Sequence, residues 1–148
     1  MTNLHLVRVE GWEDRLYDTI ESWRDKVFDY AAGANCFFFA MDCVKAVTET
    51  DPYEDERGLI TEEEDVKARL SAWGFDDIEG AIASIFQPIP PSLAWRGDLG
   101  IVDEEFTRGE GVGLAVFNGS EAGAIAMGPR LLVPVSVRHI SRAYKVGH

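Results

Sequence analysis

Asn35-Cys36-Phe37-Phe38-Phe39-Ala40-Met41-Asp42-Cys43-Val44-Lys45-Ala46-Val47 is the stretch that decides the fold. Only Asp42 and Lys45 in it are charged, and Phe37, Phe38, Phe39, Met41, Val44 and Val47 place apolar side chains on nearly every face of a helix. A helix of that kind is buried on most sides. Asn35 suits its N-cap, because the amide oxygen can accept from a backbone N–H that the first turn leaves unpaired. The reading is a central helix over residues 36–47 with Cys36 in its first turn.

Upstream, Trp12, Leu16, Ile20, Trp23, Val27 and Tyr30 recur at helical spacing, which predicts an amphipathic helix from Glu13 to Tyr30. Ala31-Ala32-Gly33-Ala34 breaks that pattern. Downstream, the acidic stretch Glu49 to Gly58 contains both Pro and Gly and reads as a loop or a short helical turn. Thr61 and Glu64 read as a capping box opening a third helix with Val66, Leu70 and Trp73, closed by a left-handed Gly74. Ile78, Ile82 and Ile85 mark a short fourth helix.

Gln87-Pro88-Ile89-Pro90-Pro91 stops helix formation and reads as a connector, after which short β-type runs follow. Strands are expected over residues 99–102, 112–117, 123–127 and 131–135, with a last one at 144–146. Asn118-Gly119 signals a hairpin turn, and Pro134 indicates that its strand lies at an edge or ends early. The fold class is therefore α+β in one domain over 1–148, helical over about 11–86 and sheet over about 95–146.

The composition bounds the function. With 148 residues, 46% hydrophobic and 27% charged, the chain can bury one core without staples. A net charge of −12 excludes nonspecific nucleic-acid binding, which needs clustered Lys and Arg. No apolar run approaches the roughly 20 residues of a membrane span. Residues Met1 to Arg8 carry neither a basic leader nor a cleavage site, so a chain without its own export signal is expected. Cys36 and Cys43 lie seven apart on one helix, about 10 Å along its axis, beyond disulfide reach. Two thiols without a histidine at ligand spacing make no zinc site, and no cofactor is implied.

The candidate chemistry starts at Cys36, since the positive end of a helix stabilises thiolate. The competing reading is packing: Cys36, Phe39, Ala40, Cys43, Val44 and Val47 form one apolar stripe. Asp42 stands on another helical face and is expected to cap backbone or meet solvent. Asp98 after Gly97 reads as an Asx-type turn bond. The acidic residues between Glu49 and Asp65 do not match a calcium loop and read as a solvated face.

Several segments together resemble a small family from phages and prophages. They are Asn35-Cys36 with its apolar helix, Asp51-Pro52, Trp95-Arg96-Gly97-Asp98-Leu99, and Arg142-Ala143-Tyr144-Lys145-Val146. Members of that family occur among tail genes, and its layout is similar to the NlpC-type branch of papain-like cysteine peptidases. The resemblance implies a papain-like fold, with Cys36 as nucleophile and the base histidine opening the strand after the Gly-Asp-Leu strand. In this chain Gly111-Val112-Gly113 stands there, with glycine in place of histidine. His139 is the remaining candidate base, since His5 and His148 lie near the ends.

The resemblance implies a structural component of a tailed-phage tail tip, assembled in the host cytoplasm and carried in the virion, with other tail-tip or hub proteins as partners. The alternative is a cysteine peptidase or amidase acting on peptidoglycan through Cys36. Exposed aromatics among Trp12, Tyr53, Trp95 and Phe106 would favour docking.

Overall fold

The structure, a computed structural model, describes residues 6–102 and 113–147. Helix α1 (Trp12–Trp23) buries Leu16, Ile20 and Trp23 against helix α2 (Cys36–Thr48). On α2 only Asp42 and Lys45 escape burial, as its all-round apolar sequence requires. Helices α3 (Glu63–Trp73) and α4 (Ile78–Ala83) complete the helical half. Six strands follow: β1 (Gln87–Ile89), β2 (Leu99–Val102), β3 (Leu114–Phe117), β4 (Gly123–Met127), β5 (Leu132–Ser136) and β6 (Ile140–Lys145). They form one antiparallel sheet in the spatial order β1-β6-β2-β3-β4-β5, so the architecture is α+β.

Period-two alternation sorts the sheet into two faces. Leu99, Ile101, Leu114, Val116, Ile125, Met127 and Tyr144 face the helices and share a core with α2. Val102, Ala115, Phe117, Ala124, Ala126, Val135, Ile140 and Ala143 form a second cluster on the other face. Four steps of chain, from Ser136 to Ile140, connect β5 to β6 and reach at most about 14 Å. In a flat sheet strands four places apart would stand about 19 Å from one another. The sheet therefore coils, and small residues line its crowded inner side. Gly100 belongs to that side: a Cβ there would come within 2.9 Å of Ile140 Cγ2 and 3.2 Å of Phe117 Cε2.

Several expectations need correction. The first helix stops at Trp23, not Tyr30, because the Phe28 N–H is drawn away to the Arg130 carbonyl at 2.6 Å and Asp29 pairs with Ala34 around a turn. These tertiary bonds override the continuing apolar spacing, and Val27 is left 53% exposed. The capping box uses Glu62 and Asp65, one residue later than expected, with the Thr61 N–H and hydroxyl also donating to Asp65. Gly74 closes α3 at φ 87° as expected.

The segment Gln87–Ile89 is more than a connector: it is edge strand β1, where Pro88 needs no partner for the N–H it lacks. Asn118 and Gly119 do turn the chain, in a loop reaching Ala122 rather than a two-residue turn. The last strand begins at Ile140 rather than 144, and Pro134 does lie on an edge strand, β5. The expected start of the third strand at Val112 lies outside the described residues.

A buried polar clasp ties the ends of the chain to the sheet. Arg8 donates from Nε to the Val146 carbonyl (2.9 Å), from Nη1 to the Arg96 carbonyl (2.6 Å) and from Nη2 to Asp98 Oδ1 (2.9 Å). Asp98 also accepts from the Val146 N–H at 2.9 Å and, in the turn bond read from sequence, from the Trp95 N–H at 2.8 Å. With the Asp98 side chain 3% exposed, removing either ion strands the other in a dry site. Arg8→Ala and Asp98→Ala are each expected to lower stability by about 3–5 kcal/mol in urea unfolding, and the double variant by less than the sum.

A second polar group joins α4 to β6. Glu79 Oε2 accepts from the Tyr144 hydroxyl at 2.7 Å and pairs with Arg142. Burial first, and then the Glu79 carboxylate, push the Tyr144 hydroxyl up to about 12 from 10.0. The unfolded chain therefore loses this proton at a lower pH than the folded one, so the stability it carries is intact below pH 10 and lost as pH rises toward 12. Tyr144→Phe is expected to flatten this alkaline fall in denaturation midpoints, leaving the part due to Tyr30 and Tyr53, which burial also raises.

Candidate functional site

The first turn of α2 holds the thiol that the sequence singles out. Asn35 caps it: Oδ1 accepts from the Phe38 N–H at 3.0 Å, and the residue is only 3% exposed. Its Nδ2 is buried without a hydrogen-bond partner. Cys36 is 7% exposed. Backbone N–H groups act to lower its pKa, those of Gly113 and Leu114 where β3 begins and those of Cys36 and Phe37 in the helix. Burial pushes the thiol up, and these donors oppose that shift without reversing it.

The Tyr30 hydroxyl stands close enough to be raised, after burial, by the charge of Cys36 and of Glu63. Sequence reasoning missed Tyr30 as a neighbour of the thiol, because it placed this residue on a helix. Cys43, fully buried, is pushed well up by desolvation and by the Asp42 charge. Both thiols are free, as their spacing required.

His139 lies in the 3₁₀ turn Val137–His139 between β5 and β6. The next residue, Ile140, packs in the cluster on the sheet face away from α2, whereas Cys36 belongs to the helix-side core. Among the described residues, the groups acting on the Cys36 thiol are backbone N–H groups, with no imidazole among them. The glycine at the expected histidine position, Gly111, lies outside the described residues, as do His5, His148 and Phe106.

Asp42 serves neither the thiol nor a backbone cap. It accepts from the Trp23 indole at 2.8 Å and pairs with Arg57 at 2.7 Å. Arg57 also holds Asp51 at 2.8 Å and lies over the Phe38 ring. These groups wall a cleft of about 670 Å³ beneath the loop that follows α1, lined among others by Trp23, Phe28, Phe38, Asp42, Arg57 and Ile60. Cys36 does not line it.

The acidic stretch is only partly a solvated face, because Glu56 is buried and takes Arg69 through two bonds of 2.9 Å, together with the Trp73 indole. Among the described residues no three acidic, His or Cys side chains are placed to hold a metal ion. No helix among the described residues is long and apolar enough to cross a membrane. Of the aromatics considered for docking, Tyr53 is buried and bonds the Ala81 carbonyl, Trp12 is half-buried, and Trp95 is 61% exposed.

In comparisons with known proteins, a family model described as a domain of unknown function, DUF6950, matches residues 7–146. No curated protein and no solved structure matches the chain.

The cap offers a direct check of the local geometry. Asn35→Ala is expected to lower stability by about 1 kcal/mol in urea unfolding, and Asn35→Ser, which keeps an acceptor and exchanges the unpartnered amide for a rotatable hydroxyl, to restore most of that loss.

Proposed function

The chain belongs to the DUF6950 family, and we propose that it is an assembly component of a tailed-phage tail tip, built on a papain-like fold that does not use its cysteine chemically. The observation that carries this reading is the enclosure of Cys36, 7% exposed at the start of α2. An enzyme of this class needs an open cleft at the thiol and a base within hydrogen-bond reach. Beside Cys36 among the described residues are backbone amides, which donate and cannot take a proton, and the Tyr30 hydroxyl, which burial holds protonated. The papain-like assignment is supported by the order of parts: a central helix starting at cysteine, packed on an antiparallel sheet whose third strand begins beside the sulfur. The tail-tip setting is supported by the run of motifs from Asn35-Cys36 to Arg142-Ala143-Tyr144-Lys145-Val146.

One feature favours a second reading, a cysteine peptidase or amidase acting on peptidoglycan. Backbone N–H groups of Gly113, Leu114, Cys36 and Phe37 favour the thiolate form of the sulfur. His139 is then the candidate base, and the turn carrying it would have to approach α2.

The rate of iodoacetamide alkylation against pH separates the two, with Cys36→Ser correcting for Cys43. On the assembly reading Cys36 stays unlabelled at neutral pH until denaturant unfolds the chain. Rapid labelling of the folded protein with an inflection well below about 8.5 would overturn it in favour of the peptidase.

A further inference from the structure

The loop between β3 and β4, residues 118–122, opens with Asn118-Gly119. An asparagine side chain is an electrophile beside a nucleophile, because the nitrogen of the next residue can bond to the carboxamide carbon and close a five-membered ring. Glycine in the next position leaves that nitrogen unshielded by a side chain. Of the three asparagines in the chain, Asn3, Asn35 and Asn118, only Asn118 precedes a glycine. Asn35 is 3% exposed and its amide oxygen caps α2. Asn118 is partly exposed, and Gly119 and Ser120 are exposed.

The loop acts on the Asn118 carbonyl. Its Oδ1 accepts from the Ser120 hydroxyl at 2.8 Å and from the Ser120 N–H at 3.2 Å. Two donors on one carbonyl oxygen draw electrons from the carbon and stand where negative charge gathers when a nucleophile adds to it. Ser120 is itself held, since its Oγ also accepts from the Gly123 N–H at 3.4 Å. The Asn118 N–H donates to the Gly123 carbonyl at 3.2 Å, and Phe117 pairs with Ala124 across the strands, so the loop is pinned at its base. The donors are therefore in place before any reaction begins.

We propose that Asn118 is a site of self-modification, losing ammonia through a cyclic imide whose formation Ser120 promotes. The Gly119 nitrogen gives its proton to hydroxide and bonds to Asn118 Cγ, placing the oxyanion on Oδ1 between the two Ser120 donors. Collapse of that intermediate breaks the Cγ–Nδ2 bond, and the departing nitrogen takes a proton from water and leaves as ammonia. Water then adds to one of the two imide carbonyls. Opening at the main-chain carbonyl leaves isoaspartate, with the chain now running through the former side chain, and opening at the other leaves aspartate. The net exchange is one water for one ammonia, without oxidant or reductant.

Either product puts a carboxylate where a neutral amide stood, and isoaspartate also adds a backbone atom to the loop. Arg96 lies against the same loop, since a Cβ at Gly119 would come within 2.5 Å of Arg96 Cδ. Its guanidinium is 5.9 Å from the ring of Trp95, which is 61% exposed. The reaction thus changes charge and backbone path beside an exposed indole. This inference holds whatever the chain assembles with, and it does not involve Cys36.

Peptide mapping by mass spectrometry of the folded full chain, incubated at neutral and mildly alkaline pH, tests it. The expected result is a gain of about 1 Da confined to the peptide carrying Asn118, faster at the higher pH and labelled by an isoaspartyl methyltransferase. Ser120→Ala, at an exposed position and checked for an unchanged thermal midpoint, should slow the gain about tenfold in the folded chain. Ser120→Thr, which keeps the hydroxyl, should retain the rate. In denaturing urea, where the loop contacts are gone, all three chains should convert alike. No gain in the folded chain, or a gain that persists in Asn118→Ser, overturns the site. A folded Ser120→Ala chain that converts as fast as the parent or faster overturns the role of Ser120.

Discussion

A helix with apolar side chains on nearly every face cannot rest on a surface, and α2 imposes that constraint on everything around it. Burying its side chains releases on the order of 25 cal/mol for each Å² of apolar surface withdrawn from water, but only if every side is covered. Helix α1 covers one side, strands β3 and β4 another, and Tyr53 and Trp73 close a third over Phe37 with tilted and edge-on ring contacts. The two charged residues of the helix show how complete this enclosure is. Asp42 is partly buried and is satisfied by Trp23 and Arg57, and Lys45 alone faces solvent in the last turn.

That constraint was readable because it is local. The apolar run, the Asn35 cap, the Gly74 stop and the alternating strands from Leu99 to Val135 all express themselves within a few residues, and each stands where the sequence put it, within one or two positions. What escaped was set by partners far along the chain. Helix α1 ends at Trp23 because Phe28 bonds Arg130, and β1 exists because β6 offers it an edge. Arg8 and Asp98 stand 90 residues apart, and nothing near either announces the other. The Asp98 turn bond to Trp95, three residues away, was foreseeable; the ion pair was not.

The thiol shows the same division. Helix periodicity placed Cys36 correctly at the start of α2, yet whether a cysteine there is reactive depends on what covers it, and the covering atoms come from Gly113 and Leu114 in another element. Burial and backbone donation act on the sulfur in opposite directions, and burial prevails. Tyr30 joins the site only because the chain leaves helical geometry after Trp23, so an error in one boundary hid a neighbour of the candidate nucleophile.

The position of β6 has a consequence for how the protein is made. The strand latest in the chain lies inside the sheet, between β1 and β2, rather than at its rim. Until residues 140–145 leave the ribosome, β1 has no partner and β2 exposes a row of unpaired N–H and C=O groups. The helical half can gather early through short-range contacts, but the sheet closes only after residues 140–145 have emerged, by pairings of high sequence separation that form slowly. A nascent chain paused before that point presents an open edge to its neighbours, which makes translation speed through β6 a determinant of how much protein reaches the native state.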